Sequence, residues 1–237
     1  DAEMRSLKGI KINVLMGRHA GWLTAASTLG KSSEEDGPHL VYLPEKPFEV
    51  EGFVNDVKNV YESLGRCVVA VSEGIQNSDH EYFLQTYAKK SGSSLAGQKD
   101  SHGNVQLSGS GLLGDTLAGI VNENIEGARV RADTFGYLQR SFIADVSEVD
   151  ADEAERVGRH AVEVSKDLKS GSIILKRQQS EKYYCDVDVV DLHRVAKNTK
   201  NMPVEFLEKN KPYVTNDFFE YAMPLTGGIE PKTQIFV

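Results

Sequence analysis

Lys11 to Ser27 read KINVLMGRHAGWLTAAS. Ile10 to Leu15 form a short apolar run that predicts a buried strand, and Met16-Gly17-Arg18 breaks it. From Gly21 to Leu29, Trp, Leu and Ala recur at helical spacing and predict a helix. An arginine and a histidine therefore stand where a strand hands over to a helix, in a chain of net charge −8. Gly17 lets the backbone come close to a ligand. A helix that follows offers its N-terminal amides to an anion, and the planar fork of Arg18 suits two phosphate oxygens at once. An anionic small molecule is one explanation, and a turn arginine in a surface salt bridge is the plainer one.

The same alternation continues along the chain. His39 to Leu43 (HLVYL) predicts a second strand closed by Pro44, and Phe48 to Leu64 carries a helical apolar face that Gly65 ends. Cys67 to Ser72 (CVVAVS) is a nearly continuous β-branched run of the kind buried on both faces of a parallel sheet, with Glu73-Gly74 at its end. Residues 76–106 turn polar and Gly/Ser-rich, predicting an insertion or lid with a helical piece near Tyr82 to Lys89. Leu112 to Asn124 predicts a helix, Ala128 to Phe135 a strand ending at Gly136 to Arg140, and Asp150 to Lys169 a long helix stopped by Gly171. That helix has Asp150 as N-cap, with Glu153 at capping-box spacing. Ser172 to Lys176 and Asp186 to Val190 are further strands, and the tail from Asn201 holds short helices near Pro203 to Lys209 and Asp217 to Tyr221.

Strands alternating with helices imply an α/β fold, doubly wound on a mostly parallel sheet. Ligands of such folds bind outside the carboxyl ends of the strands. Met16-Gly17-Arg18, Glu73-Gly74 and Tyr137 to Arg140 all fall at those ends, and their coincidence says more than any one of them. A carboxylate at Glu73 suits sugar hydroxyls, or simply caps the next element. Arg131 alternates with Arg129 along its strand and, with Arg18 and Arg140, would concentrate positive potential on an acidic chain.

Composition narrows the alternatives. With 237 residues, 40% hydrophobic and 26% charged, the chain has room for one large domain or two small ones. A pI near 5.3 and the lack of a basic stripe argue against nucleic acid. No apolar segment approaches the ~18 residues of a membrane span. Cys67 and Cys185 lie far apart, which is no disulfide framework and points to a reducing, cytoplasmic setting, with Cys67 in the core. The six histidines have no metal spacing and read as structural or surface residues. Neither a Walker loop nor GxGxxG nor GxSxG is present, and the glycines at 109, 111 and 114 follow no strand. The N-terminal DAEMRSLKG is no signal peptide and opens on Asp, so the chain is expected to be a piece of something longer.

In order and separation, MGRHAGWLTAAS, VVAVSEGI and ADTFGYLQRS resemble the phosphofructokinase family, and MPVEFL and YVTNDFFEYAMPLTGG are similar to its shorter pyrophosphate-dependent branch. The resemblance covers essentially the whole chain. It implies the phosphofructokinase-like fold with its N-terminal half absent. Residues 1–140 would form a fructose-6-phosphate-binding lobe, and 141–237 would complete the donor-side lobe and add the tail. It also implies phosphoryl transfer from pyrophosphate to O1 of fructose 6-phosphate, a step of glycolysis. Met16, Gly17 and Arg18 would contact the sugar phosphate, Arg18 also acting catalytically on the transferring group. Glu73 would bind sugar hydroxyls, Tyr137 and Arg140 would hold the 6-phosphate, and Arg131 would reach a neighbouring subunit's site in a homo-oligomer. Tyr137 stands where ATP-dependent members have histidine, and Ser141-Phe142 where they have Gly-Gly, which favours pyrophosphate. The family's donor loop and its Thr-Ile-Asp-Asn-Asp motif, with the base and a magnesium ligand, are missing; Mg2+ would be held by that absent half, possessed by a longer chain or a separate one. An ATP-dependent enzyme and a non-catalytic sugar-phosphate-binding regulatory chain are the alternatives.

Overall fold

The run after Arg66 becomes an interior strand of the main sheet. In a computed structural model, which describes residues 1–90, 111–167 and 170–228, β1 (Gly9–Leu15), β2 (Leu40–Tyr42), β3 (Arg66–Ser72) and β4 (Val130–Thr134) form a four-stranded sheet in the order β2-β3-β1-β4. Every pairing is parallel: Gly9 to Leu15 of β1 lie opposite Arg66 to Ser72 of β3, and Ile10 to Val14 opposite Val130 to Thr134 of β4. Along β1 and β3 the matched register brings both strands to an end at the same edge, so Met16 and Glu73 leave the sheet side by side.

Helices cover the sheet because its apolar side chains alternate to both faces. The helices of this part are α1 (Ala2–Leu7), α2 (Trp22–Ala26), α3 (Val50–Leu64), α4 (Phe83–Lys90), α5 (Leu112–Asn124) and α6 (Leu138–Ser141). Ile10, Ile12 and Val14 of β1 and Cys67, Val69 and Val71 of β3 share one core with Phe53 and Val57 of α3 and Leu117, Ile120 and Val121 of α5. A helix of fifteen residues such as α3 is marginal by itself in water. Burial of its apolar face, worth ~1.5–3 kcal/mol per large side chain, is what holds it. Gly65 ends it as expected, with φ 67° and its N–H donated to the Tyr61 carbonyl at 2.8 Å. The opposite side chains of β3, Val68 and Ala70, are also buried, and α1 and α2 pack on that strand. Cys67 is fully buried, and burial pushes its thiol up to about 12, so it behaves as a core hydrophobe. Both cysteines are free thiols.

The open edge of β2 is covered by the tail. Val41 N–H donates to the Pro212 carbonyl at 2.7 Å, and Lys46 Nζ donates to the carbonyls of Glu208 and Lys211 at 2.5 and 3.2 Å. An unpaired strand edge is thereby blunted. Trp22 and Phe206 meet edge to face at 6.2 Å, which seats the tail on α2.

Backbone contacts divide the chain into two units, the first holding Asp1–Ser141 and Asn201–Phe218, the second Phe142–Lys200 and the described residues from 219 to 228. In the second, α7 (Glu148–Val164) packs on β5 (Ser172–Arg177) and β6 (Cys185–Val190). These two strands pair antiparallel with each other and lie outside the parallel sheet, since the seven residues between them are too few for a parallel crossover, which takes a dozen or more. The start of α7 also differs from the sequence expectation. Ser147 is the N-cap, its Oγ accepting the Asp150 N–H at 3.3 Å. Glu153 is buried, where it accepts the Tyr183 hydroxyl at 2.7 Å. The helix ends at Val164, short of Gly171. In the tail, Val204–Phe206 is a single 3-10 turn and α8 spans Asn216–Ala222. The expected insertion at 76–106 is described only to Lys90; its remainder, with Gly109, lies outside the described residues.

His39 makes the sheet pH-sensitive. Its Nδ1 accepts the Val68 N–H at 2.8 Å, so the ring proton sits on Nε2, 3.1 Å from the Glu35 carbonyl. Burial lowers its pKa from the ordinary 6.5. The neutral ring is the folded form, so stability is complete above about 6.5 and is lost as the pH falls toward the lowered native value. Denaturant unfolding at pH 7.5 and 5.5 should show a smaller drop in midpoint for His39→Asn than for the parent chain. Equal drops would remove His39 from the account.

Candidate functional site

The parallel register sets the site. Glu73 N–H donates to the Leu15 carbonyl at 2.9 Å, which continues the β1–β3 ladder one step past both strands. Gly74 N–H then donates to the Gly17 carbonyl at 3.2 Å, and Ser72 Oγ donates to that same carbonyl. Gly17 N–H points back toward Glu73 Oε1 at 3.5 Å. The two loops are thus interlocked, and the interlock explains both glycines. Gly17 has φ 151°, and a Cβ there would lie 2.7 Å from Ser72 Oγ and 2.8 Å from the Ala20 carbonyl oxygen. A Cβ at Gly74 would lie 1.9 Å from the Arg18 carbonyl oxygen, which no side chain permits.

This geometry brings Arg18 and Glu73 to one place. Arg18 is half-buried, and Glu73 is only 7% exposed although it is a carboxylate. Tyr82 joins them. Partial burial raises its phenol pKa, while Arg18 pulls it down and the Glu73 carboxylate pushes it up, so both charges act on one hydroxyl. The Tyr82 hydroxyl also lies 3.1 Å from His19 Nδ1.

From the other side of β1, the chain after β4 reaches the same edge. Phe135 N–H donates to the Val14 carbonyl at 3.0 Å, and Gln139 Nε2 donates to Met16 Sδ at 3.3 Å. The short α6 therefore hangs beside the Met16 turn. Tyr137 and Arg140 project from this segment, both exposed, with the guanidinium 5.4 Å from the ring centre. Such stacking orients a guanidinium without consuming its hydrogen-bond donors.

Arg131 is placed elsewhere. It lies opposite Lys11, near the start of β1, and its Nη1 is 2.8 Å from Glu3 Oε1. Lys11 in turn pairs with Asp133 and Glu3. Within this chain Arg131 thus belongs to a charged cluster at the far side of the sheet from the Arg18 turn, four register steps from Leu15, or roughly 13 Å at 3.3 Å per residue.

One feature differs from what the sequence implied. The helix after the Arg18 turn does not present all its first amides to a ligand: Gly21 N–H is taken by both Glu45 oxygens at 3.0 and 3.2 Å. Glu45 also accepts the Met202 N–H at 3.0 Å, so one carboxylate ties the end of β2, the start of α2 and the tail together. Glu45 and Tyr82 were missed, whereas His19 stands beside Arg18 in the sequence and reads as a structural or surface residue. Glu45 follows the strand HLVYL at its carboxyl end, the same rule that singles out Glu73. Tyr82 carries no such signal, since only the folded loop returns it to the site.

Among the described residues, no group of three or more His, Cys, Asp and Glu side chains is placed to hold a metal ion, and no helix is long and apolar enough to cross a membrane. At this edge Arg18 and the recessed Glu73 carboxylate lie together, and the segment that carries Tyr137 and Arg140 runs beside the Met16 turn.

Known proteins share this arrangement of segments. A phosphofructokinase family profile matches residues 1–165. The chain is 47% identical over 94% of its length to a pyrophosphate–fructose 6-phosphate 1-phosphotransferase of Rhodospirillum rubrum, covering 54% of that protein. It is 33% identical over 91% of its length to a protein of the same name from Xanthomonas campestris, covering 49% of it. The crystal structure of a pyrophosphate-dependent phosphofructokinase from Marinobacter aquaeolei superposes with a TM-score of 0.75 at 29% identity, over 96% of this chain and 50% of that one. The chain spans about half the length of the curated relatives it matches. On this match of sequence and fold, the chain belongs to the phosphofructokinase family.

Proposed function

We propose that this chain supplies the sugar-phosphate site of an enzyme that transfers a phosphoryl group from pyrophosphate to O1 of fructose 6-phosphate. The observation that carries the reading is the interlock of the Gly17 and Gly74 loops, which sets Arg18 against Glu73 at the carboxyl edge of β1 and β3. The names of the relatives from R. rubrum and X. campestris support the substrate and the donor.

In this reading Met16 and Gly17 shape the floor beneath the sugar phosphate, Glu73 accepts hydrogen bonds from ring hydroxyls, and Tyr137 with Arg140 holds the 6-phosphate. Phosphoryl transfer is chiefly positioning and neutralisation of oxygen charge. The O1 oxygen forms a bond to the donor's terminal phosphorus as the bridging P–O bond breaks, and the O1 proton leaves to a base. Arg18 faces the charge that spreads over the transferring group. Magnesium, when bound, would neutralise donor phosphates; the family resemblance assigns it, with the base, to the half of the family fold outside this chain. Residues 1–140 then act as the acceptor lobe, and 141–237 complete the donor lobe and tail. Arg131 serves the site of a neighbouring subunit in a cytoplasmic homo-oligomer.

Arg18→Ala should weaken fructose 6-phosphate binding by roughly 10- to 100-fold in calorimetry, the range for loss of a charged hydrogen bond. Unchanged affinity would reject the site. The chain mixed with pyrophosphate, Mg2+ and fructose 6-phosphate should form no bisphosphate. Addition of the remaining half of a pyrophosphate-dependent relative should restore formation with pyrophosphate and not with ATP. Turnover unaided, or with ATP alone, would contradict the proposed division of labour or the donor.

A further inference from the structure

The hydroxyl of Tyr82 has a use that the proposed reaction does not assign. Past Glu73-Gly74 the chain makes a tight excursion and comes back: Gln76 and Tyr82 form an antiparallel bridge, and Phe83 N–H donates to the Ile75 carbonyl at 3.0 Å. The turn between them is pinned by Asn77. Its Oδ1 accepts the N–H groups of Asp79 and Glu81 at 3.0 and 2.9 Å, and its own N–H donates to the Glu81 carbonyl at 2.9 Å. Beyond it, Phe83 is buried against Phe48 at 4.7 Å between ring centres. Tyr82 is therefore presented by a loop fixed at both ends. Its ring lies 6.4 Å from that of His19, and its hydroxyl 3.1 Å from His19 Nδ1.

The partner of that bond sits next to Arg18. The backbone of the Arg18 turn is fastened to the β3 side at Gly17 and to Glu45 at Gly21. Between those two points, the His19 side chain provides a further tie. His19 is exposed, whereas Tyr82 is half-buried. A bond from a fixed phenol to an exposed imidazole restrains the imidazole, and with it the peptide that carries Arg18. A misplacement of about 1 Å at a phosphate-binding group is costly to a positioned reaction.

We propose that Tyr82, acting through its hydrogen bond to His19, is a positioning residue of the sugar-phosphate site that fixes the Arg18 guanidinium relative to the Glu73 carboxylate. This inference rests on the reading of the site as one for fructose 6-phosphate. It names a residue that acts on the ligand through another, and the tie is side chain to side chain.

The test is calorimetric titration of fructose 6-phosphate into the 237-residue chain, with thermal unfolding measured on each variant. Tyr82→Phe keeps the ring and removes only the hydroxyl. It should lower affinity roughly 3- to 10-fold, the scale of one neutral hydrogen bond, with an unchanged unfolding midpoint. His19→Leu should lose as much, and the double variant no more than either single one. His19→Asn should keep the parent affinity, because its Oδ1 is reached by the same bond path as Nδ1 and can accept the phenol proton. If Tyr82→Phe binds like the parent while Arg18→Ala is weakened, the positioning role is wrong and the site stands. A lowered unfolding midpoint with unchanged affinity makes the bond merely structural and overturns the proposal. If the parent chain and Arg18→Ala both fail to bind, the reading of the site fails, and the inference with it.

Discussion

The peptide of Gly74 packs against the carbonyl of Arg18 closely enough to exclude even a methyl group. That steric constraint governs the site. Two parallel strands in matched register must end at one edge, but their loops are free to diverge unless something joins them. Here Gly17 and Gly74 lack side chains where the two loops touch, so the loops can share hydrogen bonds, and Ser72 adds another to the same carbonyl. The result is a guanidinium and a recessed carboxylate held on backbone rather than on long flexible side chains alone. Anchoring the peptide beneath Arg18 fixes where its side chain starts, while the side chain's own rotamer entropy, about 2 kcal/mol for an arginine, is untouched by that anchor.

The rest of the first unit supports that edge. Glu45 gathers the end of β2, the start of α2 and the tail by accepting N–H groups from Gly21 and Met202. The tail in turn closes the edge of the sheet through Pro212. A carboxylate used this way removes the Gly21 amide from the set that the start of α2 could offer an anion. The net charge of −8 makes local placement of Arg18 and Arg140 more important, since the overall field of the protein repels a phosphate.

Much of this was legible because burial writes a pattern. CVVAVS is apolar at every position but the last since both faces of β3 are covered, and that run announced the parallel sheet and its carboxyl end. Gly65 and the helix at Leu112 were equally plain. The start of α7 was not, because Ser147 and Asp150 both carry acceptors suited to an N-cap and only the geometry shows which one takes an amide. The antiparallel pairing of β5 with β6 depends on a seven-residue connection whose length was the available clue. Tyr82 was silent for another reason, and Glu45, though it follows a strand at its carboxyl end, gave no sign of its partners. Their roles come from chain segments distant in sequence, Glu45 bonding to a tail residue 157 positions away, and no local spacing encodes such a meeting.

A crystal structure of this protein grown with fructose 6-phosphate would test the central claim most directly. The account predicts the sugar at the carboxyl edge of β1 and β3, its hydroxyls within hydrogen-bonding distance of Glu73 and its phosphate toward Arg140, with the Gly17 and Gly74 loops unmoved. Sugar phosphate bound at any other place in the first unit, with the Arg18 turn bare, would contradict it.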